Sequence, residues 1–325
     1  MINQFRTLNP FNLLLLVLVA VFLRLGVIYN LPQSVNISLV EPYTKTFFNL
    51  PADFFSPFSA VFYALILTFG QSLLLNRIVN NYNLLPKPTF LPALMFMTMS
   101  ALLPSFLILS QVLLANFFML WLIEKFLSIY RREKAIGVIF DMGMIVGAGT
   151  LVYFPFLTML PLLWFVLIIF RPFNWREWVA GIIGFLTVCL LLTMINYLND
   201  SWRVFIQNAF PFAKVLQPDF AIDIKDYWVL LPVLFILFFS LLTISQKLNR
   251  SNVHLRKSYL TLLFMFFFAL ISVYIKNPFH TNHFLLTVAP VSVFMAHYFI
   301  SAQKRWFYES SYFILIASIL YFQFF

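Results

Sequence analysis

Apolar and polar positions alternate along this chain on the scale of whole helices. Stretches of mostly apolar residues recur from Phe11 to Phe325, separated by short polar connections. A helix needs about 20 mainly apolar residues to cross roughly 30 Å of hydrocarbon. The pattern therefore predicts eleven spans, at residues 11–30, 57–76, 89–109, 111–129, 136–154, 155–170, 178–197, 227–245, 258–275, 284–301 and 307–325.

Composition agrees with an all-α transmembrane bundle that forms a single domain over residues 1–325. Of these residues 62% are hydrophobic and only 10% are charged, which is more apolar surface than one water-soluble core can bury. The first apolar stretch has no small-residue cleavage pattern before Arg24, so we interpret it as a retained helix and not a signal peptide. The single cysteine, Cys189, excludes a disulfide within the chain.

The placement of the 21 cations predicts how the bundle is oriented. With eleven spans and a cytoplasmic N-terminus, fifteen cations fall in inside connections and six fall outside. This predicts a multi-pass protein of the bacterial inner membrane with its C-terminus outside. The net charge of +10 is spread over short loops, which argues against a nucleic-acid partner and indicates contact with membrane lipids. Two outer loops are long, at residues 31–56 and 199–226.

Two local patterns predict packing contacts. Gly143 and Gly147 have the four-residue spacing of small side chains that lets two helices approach closely. Asp141 and Glu124 lie near the inner surface, where Lys125, Arg131 and Arg132 are available, and the cost of a carboxylate in a membrane favours structural ion pairs.

Candidate chemistry is concentrated on the outer side. The first outer loop holds the carboxylates Glu41 and Asp53. A short stretch before the tenth span holds Lys276, His280 and His283, whose side chains suit an anion at a helix start. Solvated polar loop residues are the alternative for both groups. The residues require no metal, and no phosphate-binding loop, dinucleotide fingerprint or nucleophile elbow is present to indicate a cofactor.

An inner connection carries a different kind of surface. Arg171, Trp175 and Arg176 lie in a short Pro- and Trp-containing turn between the sixth and seventh spans. Such a turn is typical of an interface anchor, and it also suits docking of a partner protein.

Taken together, these features resemble the GT-C superfamily of integral-membrane glycosyltransferases, which use polyprenyl-phosphate-linked sugars. Leu23-Arg24-Leu25 followed by Glu41-Pro42-Tyr43 resembles the family's arginine, acidic residue and aromatic residue. The glycine-spaced fifth span, which continues through Pro155 and Pro161, resembles its fifth and sixth helices, and residues 280–290 resemble its late basic helix. A weaker resemblance is to an uncharacterised family of bacterial inner-membrane proteins.

The resemblance implies roles for particular residues. Glu41 would act as general base, with Asp53 in reserve, while Arg24, Lys276, His280 and His283 would bind the lipid phosphate. The implied partner is a polyprenyl-phosphate-linked sugar.

One departure weakens the enzyme hypothesis. Many family members have a second acidic motif in the outer turn between the third and fourth helices, where this chain reads Leu109-Ser110-Gln111-Val112. The alternative is a non-catalytic GT-C-like subunit that binds lipid or a membrane-protein partner in an envelope-assembly or secretion complex. A secondary transporter ranks last, because neither a repeat nor a mid-span acid is evident.

Overall fold

The computed structural model describes residues 1–31, 39–44, 54–130, 132, 134–203, 205, 228–248, 251–275 and 280–324. Within those ranges the protein is all-helical, with thirteen α-helices and no strand. They are α1 (Ile2–Phe5), α2 (Phe11–Phe22), α3 (Leu25–Tyr29), α4 (Pro57–Asn81), α5 (Leu91–Met99), α6 (Gln111–Ser128), α7 (Ile136–Val152), α8 (Met159–Phe170), α9 (Trp175–Leu198), α10 (Leu230–Leu248), α11 (Val253–Ser272), α12 (Val288–Ser301) and α13 (Arg305–Phe324). Short 3₁₀ helices cover Pro42–Thr44, Pro104–Leu107, Phe154–Thr158 and Thr281–Thr287.

Five helical segments are both long and apolar enough to cross a membrane. They are α4, α6, α9, α11 and the segment Thr281–Ser301 that ends with α12. Shorter apolar segments are Phe11–Phe22, Ile136–Val152, Phe154–Phe170 and Leu230–Gln246. The structure therefore supports a membrane-spanning bundle, while the count of eleven spans stays a prediction. The predicted span at 89–109 differs most, because α5 ends at Met99 and Pro104 begins a 3₁₀ turn. Nine residues extend only about 14 Å and do not cross the hydrocarbon.

The centre of the bundle is formed by α5 and α12. Every residue of α5 is buried, and so is every residue of α12 from Val288 to Phe299. Both sequences are apolar around the whole helix, as expected for a helix enclosed by others. By contrast, α9 leaves a row of large apolar side chains such as Ile183, Leu190 and Met194 exposed. This places α9 at the periphery, where lipid can cover it.

One end of the bundle, which we call the basic end, carries Met1 and most of the connecting loops with cations. Arg6 donates hydrogen bonds to the Phe299 and Ala302 carbonyl oxygens at the end of α12, at 3.0 and 2.7 Å. Tyr259 of α11 donates to the Leu84 carbonyl oxygen in the α4–α5 connection, at 2.9 Å. The end of α12, the α4–α5 connection and the first turns of α11 therefore lie at this end. The α6–α7, α8–α9, α10–α11 and α12–α13 connections lie at this end too, as the order of the helices requires.

The opposite end, which we call the Glu41 end, holds the other set of connections. Tyr29, the last residue of α3, packs its ring 6.4 Å from that of Phe324 at the end of α13. Since α13 starts beside Met1, whose amine lies 3.1 Å from Glu309, the two termini of the described chain lie at opposite ends. Which end faces the cytoplasm stays a prediction from charge.

The tightest contact is between α7 and α9. A methyl group at Gly143 would overlap the carbonyl oxygen of Gly181, and one at Gly184 would overlap that of Phe140. Gly147 lies against Val188, 2.8 Å from where a Cβ would be. The predicted close approach at Gly143 and Gly147 is confirmed, and the partner helix is α9. An ion pair is present for Asp141, one of the two carboxylates for which pairs were predicted, with Lys125 Nζ 2.7 Å from Asp141 Oδ2.

Candidate functional site

Glu41 lies at the start of the 3₁₀ helix Pro42–Thr44 and is completely buried. Its Oε1 accepts a hydrogen bond of 3.0 Å from the Phe154 backbone N–H. The turn is fixed on the end of α7, since Thr44 Oγ1 lies 2.8 Å from the Glu41 carbonyl oxygen and 3.0 Å from that of Leu151. A carboxylate is therefore held inside the protein, against the break between α7 and α8.

Two further contacts hold the segment that carries Glu41. The Gln111 side-chain amide donates to the Val40 carbonyl oxygen at 2.8 Å. The Tyr43 hydroxyl donates to the Thr150 carbonyl oxygen. Burial, and then the nearby charge of Glu41, raises the pKa of the Tyr43 phenol, so this hydroxyl stays a donor. Gln111 occupies the turn where the resemblance led us to look for a second acid, and here it positions the first.

The second half of the site is formed by Tyr153 and His283. The Tyr153 hydroxyl and His283 Nδ1 are 2.6 Å apart, and the two rings stack with centroids 5.5 Å apart. His283 is only 6% exposed, whereas His280 is exposed. His280 is the last residue before the 3₁₀ helix, and its carbonyl oxygen accepts a hydrogen bond of 3.1 Å from the His283 backbone N–H. The two imidazole centroids are 6.1 Å apart. Of these two neighbouring imidazoles, that of His283 is therefore buried and that of His280 is exposed.

Consecutive residues connect the two halves. Tyr153 contacts His283 while the next residue, Phe154, donates to Glu41. The 3₁₀ helix carrying His283 is fixed from two sides, because Thr281 Oγ1 lies 2.9 Å from Ser105 Oγ and Asn116 donates to the Leu285 carbonyl oxygen at 3.2 Å. The predicted neighbours Glu41, His280 and His283 thus lie at the same end of the bundle, around one dipeptide.

The other expected site residues lie elsewhere or outside the described residues. Arg24 is fully buried between α2 and α3, and its shortest contact is 2.6 Å from Nη2 to Thr68 Oγ1 of α4. Its guanidinium makes no ion pair in the part of the chain that the structure describes. No contact shown for Arg24 reaches Glu41 or the histidines. Asp53 and Lys276 lie outside the described residues.

The three expected docking residues lie at the basic end. Arg171 is engaged internally, because its Nε is 2.9 Å from Glu177 Oε2, an ion pair without hydrogen-bond geometry. Trp175 is 62% exposed, and the Arg176 guanidinium lies 5.9 Å from its ring centroid. Of the three, Trp175 and Arg176 present a free surface.

Sequence reasoning gave no role to Tyr153 or Gln111, and it noted Tyr43 only as the aromatic residue of the GT-C resemblance. Tyr153 had a usable signal as well, since Pro155 two residues later ends a helix and so places a Tyr at a turn on the Glu41 side. Within the described residues, no three His, Cys, Asp or Glu side chains are grouped as metal ligands. The site offers a buried carboxyl group and, across Tyr153-Phe154, a buried imidazole whose neighbour His280 is exposed.

In the part of the chain that the structure describes, the protein is all-helical, has five helical segments long and apolar enough to cross a membrane, and carries a carboxylate, a tyrosine and two histidines at one end of the bundle. The chain belongs to the family described as a family of unknown function (DUF6427), which matches residues 35–325. Helices α1, α2 and α3, with Arg24, precede the matched residues. No curated protein and no solved structure matches the chain.

Proposed function

We propose that this is a multi-pass protein of the bacterial inner membrane that transfers a sugar from a polyprenyl-phosphate donor at the Glu41 end. The observation that carries the proposal is the placement of Glu41 and His283 on the two sides of Tyr153-Phe154. Such a transfer needs two groups: a carboxylate that accepts the proton of the acceptor hydroxyl, and an imidazole that donates a hydrogen bond to the phosphate.

In the proposed reaction the acceptor hydroxyl oxygen attacks the anomeric carbon of the sugar. The bond from that carbon to the phosphate oxygen breaks, and polyprenyl phosphate leaves with the electron pair. Glu41 takes the hydroxyl proton, and His280 and His283 donate hydrogen bonds to the phosphate. Since Glu41 is fully buried here, the 39–44 segment must shift to admit the acceptor. Arg24, held on α4, is left out of this scheme.

A second candidate is a non-catalytic subunit that binds lipid or a protein partner in an envelope-assembly or secretion complex. The complete burial of Glu41 and its backbone partner favour this candidate, because both are also expected of a purely structural carboxylate. The exposed Trp175 and Arg176 at the basic end then supply the docking surface.

Replacing Glu41 with Gln separates the two candidates. We expect Glu41→Gln to keep the fold, because the amide oxygen can still accept from Phe154, and to lower transfer by about 10²- to 10⁴-fold. The measurement is transfer of radiolabelled sugar from a panel of polyprenyl-phosphate sugars to an added acceptor, with Glu124→Gln, near the basic end, as the matched control.

Two outcomes would contradict the transferase. One is a folded Glu41→Gln protein that transfers sugar as fast as the wild type. The other is a folded wild type that transfers from no donor in the panel, which would favour the non-catalytic subunit.

A further inference from the structure

A groove lies between α10, α11 and α12 at the basic end, far from the Glu41 site. Its volume is about 590 Å³, within the roughly 300–1,000 Å³ of sites that hold small molecules. Apolar side chains form most of its walls, and the lining residues with polar side-chain atoms are Ser245, Arg256 and Tyr259. The lining residues are Leu241, Ile244, Ser245, Arg256, Tyr259, Leu260, Leu263 and Phe294.

The groove has one charged mouth and runs along the membrane-facing side. Arg256 and Ser245 are exposed, and Leu260, one turn further along α11, is 42% exposed. From Arg256 to Leu263 the helix rises about 10 Å, a third of the roughly 30 Å hydrocarbon. An occupant lying here would have its polar group at Arg256 and its apolar part beside Leu263.

In the sequence, the charges next to Arg256 are of one sign. Arg256 is followed by Lys257, and the sequence adds Lys247 and Arg250 shortly before them. No Asp or Glu occurs from Tyr227 to Tyr308, and no ion pair in the described residues involves Arg256. Basic clusters beside a membrane helix attract anionic lipid headgroups.

We propose that this groove binds one anionic phospholipid from the surrounding bilayer. The phosphate group lies at Arg256, which lines the groove, the next residue, Lys257, adds positive charge nearby, and an acyl chain fills the apolar groove between α10 and α11. The apolar lining explains a preference for a lipid over a free phosphate, and the positive charge of Arg256 and Lys257 explains a preference for an anionic lipid. This site is independent of the proposed sugar transfer.

The test uses the full chain, purified and stripped of lipid, then mixed with phosphatidylglycerol or phosphatidylcholine of the same acyl chains. Native mass spectrometry counts the lipid that stays bound. We expect one retained phosphatidylglycerol, and a loss of about 25-fold in its affinity for the double variant Arg256→Gln/Lys257→Gln, since each cation contributes about 5-fold. Leu260→Trp, which fills the groove from its exposed rim, is expected to weaken both lipids.

Lys304→Gln/Arg305→Gln is the matched control, because this adjacent exposed pair lies at the same end of the bundle on α13. It is expected to keep wild-type binding, and an unchanged elution volume shows that each variant is folded. Equal retention of the two lipids by the wild type would overturn the proposal. So would wild-type binding by the Arg256/Lys257 variant, or an equal loss in the control. A co-purified protein released by the Leu260→Trp change would overturn it in favour of a partner helix.

Discussion

At the scale of single residues, Tyr153 links the two halves of the candidate site. Its side chain is buried beside His283, and its neighbour Phe154 holds Glu41. A buried polar group that loses its partner costs about 1–3 kcal/mol. The position of His283 in the site therefore depends on the Tyr153 hydroxyl, which is buried.

We expect Tyr153→Phe to lower the free energy of unfolding by about 1–3 kcal/mol, because the buried His283 Nδ1 loses this partner. Thermal unfolding in detergent measures the change. Tyr197→Phe, at an exposed tyrosine of α9, is the control and is expected to leave the midpoint unchanged. An unaltered midpoint for Tyr153→Phe would show that the hydroxyl contact is not stabilising.

Burial changes the role that the sequence predicted for Arg24. Its place after the first apolar stretch predicted a phosphate ligand beside the outer loop, but its guanidinium is enclosed by α2 and α4. A charge within a membrane bundle is costly unless polar atoms surround it. Thr68 and two carbonyl oxygens serve that purpose here, which points to a structural part for Arg24.

At the scale of elements, the pair α7 and α9 depends on the absence of side chains. Gly143 and Gly184 each face a backbone carbonyl of the other helix. Backbone atoms cannot turn aside as a flexible side chain can, so any added carbon must push the helices apart. The glycine spacing predicted that α7 has a helix packed closely against it. The sequence did not indicate that this partner is α9.

Gly143→Ala is expected to destabilise the protein by about 1–3 kcal/mol or more, because the methyl group overlaps the Gly181 carbonyl oxygen. Gly137→Ala on the same helix is the control, since no atom lies within 4 Å of its added methyl group. The control is expected to be neutral or slightly stabilising, because Ala favours a helix by up to about 1 kcal/mol over Gly. Thermal midpoints compare the two, and equal midpoints would exclude the close contact.

The short helix α5 marks where the apolar pattern was insufficient. Apolar residues extend over 89–109, but the helix ends at Met99 and the chain turns before Pro104. Irregular backbone is tolerated at membrane depth only inside the protein. The neighbouring helices that bury this segment come from distant parts of the sequence, so the local pattern could not reveal it.

At the scale of the whole molecule, the sidedness of the bundle is open to a direct test. Charge predicts that the basic end faces the cytoplasm. The lone cysteine can be replaced, and new ones introduced as Asp200→Cys at the Glu41 end and Asn252→Cys at the basic end, both exposed positions. A membrane-impermeant maleimide is expected to label the first in intact cells and the second only after the inner membrane is opened. The reverse pattern would invert the orientation.

The sequence by itself determined that the chain forms apolar helices, roughly where each lies, and that Glu41 and the two histidines belong to connections on one side. These follow from the length and charge of local stretches, which the bilayer constrains directly. Only the tertiary structure decided that Glu41 is buried, that Tyr153 and Phe154 link it to His283, and that Arg24 binds Thr68 of α4. Depth and contact depend on which helices pack together, and side-chain contacts between distant segments are set by that packing.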